Sequence, residues 1–374
     1  MKTVIYIGHH KTGSTSLQQF LAQNSLRLLQ SGILYPAVDG RGLSYQLLKA
    51  IGGGDHALDL PVVIREPHNA LAQKMLAEAA QKWRLPAYYR HLPRSGHLIR
   101  MIRSQIDILE PNAVLLVSEV FSNFSQFAPD QIERLRDALE DSDETQIYIC
   151  LRRPDEYLVS WQNQRLKFGN RLKPLRADGL AGYFSSIHFD YAWCLKGWAE
   201  YFSRAELTVR RYSDVRANGG SVEDFMVQSV LDFPDGLIPA KTLNRSIPYA
   251  MMEISRLCND ALPPAQARSF RNSLLTLVDD LEDVPPNKDV EMYGAENRAA
   301  LLERFVPIHE ELSRITGEDP FFPDLEDIAA PRPIPELEAV GRILAQLDKP
   351  LLRRHFARAG VEFLMELKRR DALD

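Results

Sequence analysis

The first 32 residues impose the strongest constraint on the fold, because a strand, a turn and a helix follow one another without a spacer. Residues 3–7 are short, β-branched and apolar, which is typical of a strand buried on both faces of a parallel sheet. A polar turn covers residues 8–15, and from Ser16 apolar side chains recur at helical spacing until Gly32. This succession predicts the first unit of an α/β fold.

The same alternation continues along the chain. Apolar runs at residues 113–118, 146–151 and 207–212 predict three more strands, and helical periodicity is present at 69–83, 97–109 and 131–139. The glycine-rich region 40–65 is interpreted as a mobile loop, with a helix over 45–51 as the alternative. We therefore expect a parallel sheet covered by helices, although the order of its strands cannot be read from the pattern.

A proline-rich stretch begins at residue 320 and precedes two helical patterns, at 336–347 and 351–368. We therefore predict a main domain over residues 1–325 and a helical C-terminal extension over residues 326–374. The helices of the extension offer a surface for a homo-oligomer.

Charge and cysteine content exclude several classes of function. The 374 residues contain 45 lysines and arginines against 50 aspartates and glutamates, so no overall basic field attracts nucleic acid or an anionic membrane. Three separated cysteines (Cys150, Cys194 and Cys258) lack metal-ligand or redox spacing, which fits a reducing compartment. Neither a leader pattern nor an apolar run of about 18 residues is present, so we expect a cytoplasmic protein without a transmembrane segment.

The turn at residues 8–16 has the composition of an anion site, because backbone N–H groups and the helix dipole favour negative charge there. Hydroxyl groups that add donors occupy four positions: Thr12, Ser14, Thr15 and Ser16. A nucleotide triphosphatase loop reads G-x-x-x-x-G-K-S/T. Gly8 and Gly13 have that spacing, but Ser14 occupies the lysine position and Lys11 lies inside the loop. We expect a phosphate-binding turn whose lysine reaches the bridging oxygen of a group attached to the phosphate.

The segment HKTGSTSLQQFL resembles the 5′-phosphosulfate loop of sulfotransferases that use 3′-phosphoadenosine-5′-phosphosulfate (PAPS), commonly PKTGTTS or PKSGTT. His10 stands where proline is common. The resemblance implies that PAPS is bound by seven consecutive residues: His10, Lys11, Thr12, Gly13, Ser14, Thr15 and Ser16. The alternative is a hydroxyl-rich helix start that caps its own amides.

A second segment, LRRPDEYLVSWQNQ, joins the strand at 146–151 to a predicted helix. Arg152 at the strand end and Ser160 two turns into the helix would converge on one anion at the carboxyl edge of the sheet. The segment is similar to the 3′-phosphate motif of the same family, which implies that Arg152 and Ser160 bind that phosphate. Arg153 replaces the usual acidic or amide residue, so either arginine can make the contact. Arg245 lies in an Asn-Arg-Ser element that resembles another family element, which adds it as a cofactor contact.

Glu119 follows the strand at 113–118 and is the candidate general base, because a carboxylate there can take the proton of an acceptor hydroxyl or amine. Several glycan-modifying and bacterial members of the family carry a glutamate after such a strand. A solvated strand-end carboxylate, or a partner for Arg152, is the structural alternative. Histidines compete for the role of base, and those in the loop or near the expected acceptor site are His9, His10, His91 and His97.

The resemblance covers residues 1–320 in motif order and implies a three-layer P-loop fold related to nucleotide kinases. It further implies in-line transfer of a sulfuryl group from PAPS, without a metal, to a hydroxyl or amine acceptor. Lys11 would stabilise the charge that develops on the leaving oxygen. Glu119 as base favours a carbohydrate acceptor, a glycan or glycolipid, over a planar phenol. A magnesium-dependent kinase of a small metabolite or sugar and a non-catalytic nucleotide-binding or scaffolding protein are the two alternatives.

Overall fold

A computed structural model describes residues 1–52, 60–139, 142–239 and 246–371. Five strands form one parallel sheet in the order β2-β3-β1-β4-β5. The strands are β1 (Lys2–Tyr6), β2 (Ile33–Leu34), β3 (Ala113–Val117), β4 (Glu144–Leu151) and β5 (Glu206–Arg211). Helices flank the sheet, so the predicted α/β class is confirmed.

The helices alternate with the strands and continue beyond the last of them. In chain order they are α1 (Ser14–Gln30), α2 (Gly40–Ala50), α3 (Val62–Arg65), α4 (Pro67–Ala79), α5 (Ser95–Leu109), α6 (Phe124–Phe127), α7 (Asp130–Ala138), α8 (Pro154–Lys167), α9 (Ala192–Tyr201), α10 (Tyr212–Ala217), α11 (Ser221–Gln228), α12 (Met252–Ala261), α13 (Pro264–Leu277), α14 (Ala295–Thr316), α15 (Glu336–Gln346), α16 (Lys349–His355) and α17 (Arg358–Asp371). A short parallel pair, β6 (Val290–Glu291) and β7 (Ile334–Pro335), forms a second sheet.

The chain divides into two compact units. The first contains residues 1–153, 190–243 and 308–322, and therefore the whole five-stranded sheet. The second contains residues 154–189, 244–307 and 323–374, and therefore α8, α12, α13 and the three C-terminal helices. The predicted division into a main domain over residues 1–325 and a helical extension over residues 326–374 stays a prediction.

One hydrophobic core cluster of the first unit lies between one face of the sheet and helices α1 and α11. Tyr6 of β1 stacks on Tyr148 of β4 with 5.4 Å between ring centroids, and Phe225 of α11 meets both rings edge-on. The register places Tyr6 opposite Val117 and Tyr148, so β1, β3 and β4 end at the same edge of the sheet. The segments that follow these three strands carry the predicted loop, Glu119 and Arg152.

The prediction of a mobile loop over residues 40–65 is wrong for residues 40–50 and 62–65, which are helical, whereas 53–59 lie outside the described residues. Asp39 caps α2, because its side chain accepts a hydrogen bond of 3.0 Å from the amide of Gly42. A Cβ at Gly42 would lie 2.8 Å from the Cβ of Ala37. Glycine at this position permits close packing at the start of a helix, and it does not indicate a mobile loop.

The predicted helix over 351–368 is also wrong in one respect, because α16 and α17 are separate. Phe356 follows α16 in an extended conformation, with φ −121° and ψ 145°. Its ring packs on Phe270 of α13, with 4.8 Å between centroids. Burial of this ring explains why the helix ends there, although the apolar period alone continues.

Candidate functional site

The turn between β1 and α1 has an unusual backbone. Gly8, Lys11 and Gly13 have φ values of +46°, +64° and +96°. A positive φ is uncommon for a residue with a side chain, and such a conformation persists only where the surroundings enforce it. The buried hydroxyl of Thr12 donates a 2.7 Å hydrogen bond to the carbonyl of His9, which closes the turn. The backbone of the turn therefore holds Lys11 in a left-handed conformation.

Helix α1 begins with an N-terminus suited to an anion. Its N-cap is Gly13, which has no side chain to accept from the first amides, and its first turn contains no acidic residue. The carbonyl of Gly13 accepts from the amides of Ser16, at 3.1 Å, and Leu17, at 3.3 Å. Ser14 is buried, whereas Thr15 and Ser16 are partly exposed. The positive end of the helix dipole and these hydroxyls surround the place where the sequence predicts a phosphate.

The two histidines of the turn differ in setting. His9 is buried, and its ring lies 4.8 Å from the ring of Tyr191, measured between centroids. Burial, and then the positive charge of Lys11, lower the pKa of His10 to about 4. His10 is therefore neutral near pH 7. Of the two neighbours His10 and Lys11, Lys11 carries the positive charge.

Glu119 lies directly beside this turn. A Cβ at Gly8 would lie 3.0 Å from the Cα of Glu119, so the two backbones are in contact. The Glu119 carboxylate accepts hydrogen bonds from Gln18 of α1, at 2.9 Å, and from Asn69 of α4, at 3.3 Å. The hydroxyl of Ser118 donates a 2.6 Å hydrogen bond to the side-chain oxygen of Asn69. This bond fixes the Asn69 side-chain amide, which in turn orients the Glu119 carboxylate. The structure thus brings the predicted loop and the predicted base together.

A second carboxylate, Glu66, lies next to this network and was not predicted. Its side chain accepts a 3.0 Å hydrogen bond from the same Asn69 amide that donates to Glu119. Burial, and then the negative charge of Glu119, raise the pKa of Glu66, against the opposing charge of Arg65. The only local signal in the sequence is the three-residue spacing of Glu66 and Asn69, which places both on one side of a helix start.

Arg152 follows β4 at the same edge of the sheet. The hydroxyl of Tyr191 donates a 2.7 Å hydrogen bond to the carbonyl of Arg152, and the ring of Tyr191 touches His9 of the turn. The guanidinium of Arg152 lies 4.9 Å from the ring centroid of Tyr212, a distance typical of cation–π contact. Arg153 is only 7% exposed, whereas Arg152 is partly exposed. Arg152 is therefore the better placed of the two to meet a ligand.

Two further cofactor contacts were predicted, Ser160 and Arg245. Ser160 lies in α8 of the second unit and is partly exposed. Arg245 lies outside the described residues. The roles of both residues stay predictions.

No group of three or more His, Cys, Asp or Glu side chains is arranged to hold a metal ion within the residues that the structure describes. Over the same residues, none of the helices combines the length and apolar character needed to cross a membrane.

Comparisons with protein-family models, with curated proteins and with solved structures find no match to this chain. Its function is therefore inferred from the site itself, which combines a turn with positive φ at Lys11, a carboxylate oriented by two amides and an arginine at one edge of a parallel sheet.

Proposed function

We propose that the protein is a PAPS-dependent sulfotransferase with a P-loop sulfotransferase fold. The observation that carries the proposal is the contact between the backbone of the Lys11-containing turn, at Gly8, and Glu119. The turn that would supply the cation for the leaving group thereby adjoins the residue that would supply the base for the acceptor, which supports a reaction between two groups held in one site.

The turn would hold the 5′-phosphosulfate through the start of α1 and its hydroxyl groups. The acceptor oxygen or nitrogen attacks sulfur, a new bond to sulfur forms, and the bond from sulfur to the bridging phosphate oxygen breaks. Negative charge develops on that oxygen, where the ammonium of Lys11 stabilises the transition state more than the ground state. The products are the sulfated acceptor and adenosine 3′,5′-bisphosphate.

Glu119 would take the proton that the acceptor loses. The amides of Gln18 and Asn69 donate to its two oxygens and set their direction. A base works only when it lies within hydrogen-bond reach of the proton it removes, so orientation by fixed donors supports this role. The neighbouring carboxyl of Glu66 and the 58% exposed ring of Tyr88 offer hydrogen-bonding and stacking surface, which supports a carbohydrate acceptor.

Binding calorimetry with adenosine 3′,5′-bisphosphate tests the cofactor assignment. We expect micromolar affinity without a metal, a loss of at least about tenfold in Arg152→Ala because a charge-assisted hydrogen bond is removed, and no change in Arg136→Ala. Arg136 is a partly exposed arginine of α7 and serves as the matched control. Preference of the wild-type protein for magnesium-ATP would overturn the proposal and favour a kinase.

Single-turnover transfer from radiolabelled PAPS to a panel of saccharides tests the two catalytic assignments. We expect Lys11→Ala to fold and to lose about a hundredfold or more in rate, as removal of a preorganised donor does. Glu119→Gln should lose about a hundredfold or more for want of a base. Glu144→Gln, at an exposed glutamate of β4, should leave the rate unchanged. A Lys11→Ala or Glu119→Gln rate within about threefold of wild type would refute the role of that residue.

A further inference from the structure

Arg271 of α13 is a buried charge that has no counter-charge among the described residues. It is 4% exposed, and its guanidinium donates a hydrogen bond to the side-chain oxygen of Asn259. Within the part of the chain that the structure describes, no carboxylate forms an ion pair with it. Arg298, which is 3% exposed in the same unit, has two such partners, Glu291 at 2.7 Å and Asp155 at 3.7 Å.

Burying an uncompensated charge is unfavourable, so its position requires an explanation. Burial, and secondarily the positive charge of Arg268, lower the pKa of Arg271. The nearby thiol of Cys258 supplies no negative charge, because burial raises its pKa to about 12 despite the charge of Arg271. Over the described part of the chain, the surroundings of Arg271 thus add positive charge and supply no negatively charged partner.

Two further arginines adjoin the same place. Arg171 donates a 3.2 Å hydrogen bond to the carbonyl of Asn259, the residue whose side chain also receives Arg271. Arg268 is exposed and lies one helical turn before Arg271 on α13. A Cβ at Gly169 would lie 3.7 Å from Nη2 of Arg271, so this guanidinium lies directly beneath an exposed glycine turn. Arg171, Arg268 and Arg271 are called the arginine cluster below.

Three backbone carbonyls at the end of α8 accept hydrogen bonds from donors other than Arg271. The carbonyl of Leu166 accepts from the Gly169 amide at 2.9 Å and from the Asn259 side chain at 3.0 Å. The carbonyl of Asn170 accepts from the Asn259 side chain at 3.0 Å, and that of Arg165 from the Asn170 amide at 3.1 Å. These three carbonyls bond to other donors, so the N–H groups of Arg271 that do not bond to Asn259 can donate to a bound anion.

We propose that the arginine cluster binds a phosphate or sulfate monoester. Guanidinium groups match tetrahedral oxyanions through forked, charge-assisted hydrogen bonds, and three of them suit one or two negative charges. Phe168, next to the glycine turn, is 69% exposed and offers an apolar face to the organic ring that carries the ester.

The arginine cluster is separate from the predicted cofactor contact on the same unit. Gly169 follows Ser160 by nine residues, and α8 extends over most of that interval, which corresponds to about 13 Å along a helix axis. The ligand of the arginine cluster is therefore an anion other than the 3′-phosphate assigned to Ser160 by resemblance.

Calorimetry and thermal melting with four small compounds test the assignment. The compounds are inorganic phosphate, glucose 6-phosphate, glucose 6-sulfate and, as a neutral control, glucose. All proteins carry Lys11→Ala and Arg152→Ala, so that anion binding at the proposed sulfotransferase site does not contribute to the measured response. We expect at least one anion to bind and raise the melting temperature, and glucose to have no effect. A stronger response to the esters identifies a sugar ester as the ligand, and an equal response to inorganic phosphate identifies free phosphate.

Matched double variants locate the binding. Arg171→Gln with Arg268→Gln removes two exposed charges of the arginine cluster and should weaken affinity by about tenfold or more, since hydrogen bonds from charged groups are lost. Arg353→Gln with Arg354→Gln, at exposed positions of α16, should change nothing. Equal affinity in the two double variants, absence of any response, or binding of RNA in preference to every monoester would overturn the proposal.

Arg271→Met gives an independent readout without ligand. If the guanidinium is kept for an anion, the variant is at least as stable as wild type in phosphate-free buffer and gains no stability from the anion. A variant that is markedly less stable without ligand would show a structural role and would contradict the proposal.

Discussion

Replacement of Gly13 by alanine tests the geometry of the turn independently of any function. Gly13 has φ +96°, and a Cβ there would lie 2.6 Å from both the Cβ and the Oγ of Ser221. The hydroxyl of Ser221, the first residue of α11, donates a 3.0 Å hydrogen bond to the carbonyl of Gly13. The new methyl group therefore meets a fixed backbone conformation and a fixed neighbour at once.

The expected cost follows from these two contributions. A left-handed conformation costs an L-residue about 1–2 kcal/mol, and overpacking adds about 1–3 kcal/mol. Gly13→Ala should thus lower the free energy of unfolding by about 2–5 kcal/mol. Gly317 has φ +74° with no heavy atom near its potential Cβ, so Gly317→Ala should cost only the first contribution, about 1–2 kcal/mol.

Urea unfolding of a double-mutant cycle separates the contributions. Ser221→Gly removes both atoms that would collide with the new methyl group, so it should recover about 1–3 kcal/mol when combined with Gly13→Ala, relative to the sum of the single variants. A coupling below about 0.5 kcal/mol, or equal costs for Gly13→Ala and Gly317→Ala, would refute the reasoning.

Two further predictions concern buried carboxylates. Burial raises the pKa of Glu336 to about 7, although the charge of Arg176 opposes the shift. The folded protein therefore holds this proton more tightly than the unfolded chain does. The stability that results is present at low pH and is lost as the pH rises toward 7. Urea unfolding at pH 5 and pH 8 should therefore show a smaller loss of stability in Glu336→Gln than in wild type, and an unchanged difference would contradict this. Asp224 is fully buried and pairs with Arg210 at 2.9 Å, so Asp224→Asn should cost about 2–3 kcal/mol in the same assay. Asp214→Asn, at a more exposed pair, should cost less than about 1 kcal/mol, and equal costs would disprove the argument.

The local pattern was sufficient for the strand and helix that bear the anion turn. The β-branched run at residues 3–7 and the helical period after Ser16 predict β1 and α1 to within two residues. Both elements are buried along most of their length. A regular period of apolar residues in a sequence reflects such burial, so these two elements could be predicted. Strand β2, by contrast, has only Ile33 and Leu34, too few residues to show any period.

The surroundings of Glu119 were beyond prediction for a different reason. Gln18 and Asn69 donate to its carboxylate, and Glu66 accepts from the same Asn69, because α1 and α4 pack near the end of β3. This proximity depends on strand order and helix placement, which one sequence does not encode in any local pattern. The position of Glu119 at a strand end was predictable, and its hydrogen-bond partners were not.

His68 has a consequence for behaviour in solution. Its Nδ1 accepts a 3.0 Å hydrogen bond from the amide of Val117, and its Nε2 donates to the carbonyl of Pro36 at 3.1 Å. Strand β2 is the edge of the sheet and covers only the first two residues of β3, so the Val117 amide extends past it. An unpaired amide at a sheet edge invites a strand from another molecule. Because burial lowers the pKa of His68 to about 3, its imidazole stays neutral near pH 7 and keeps accepting from this amide, which is therefore not available to a strand from another molecule.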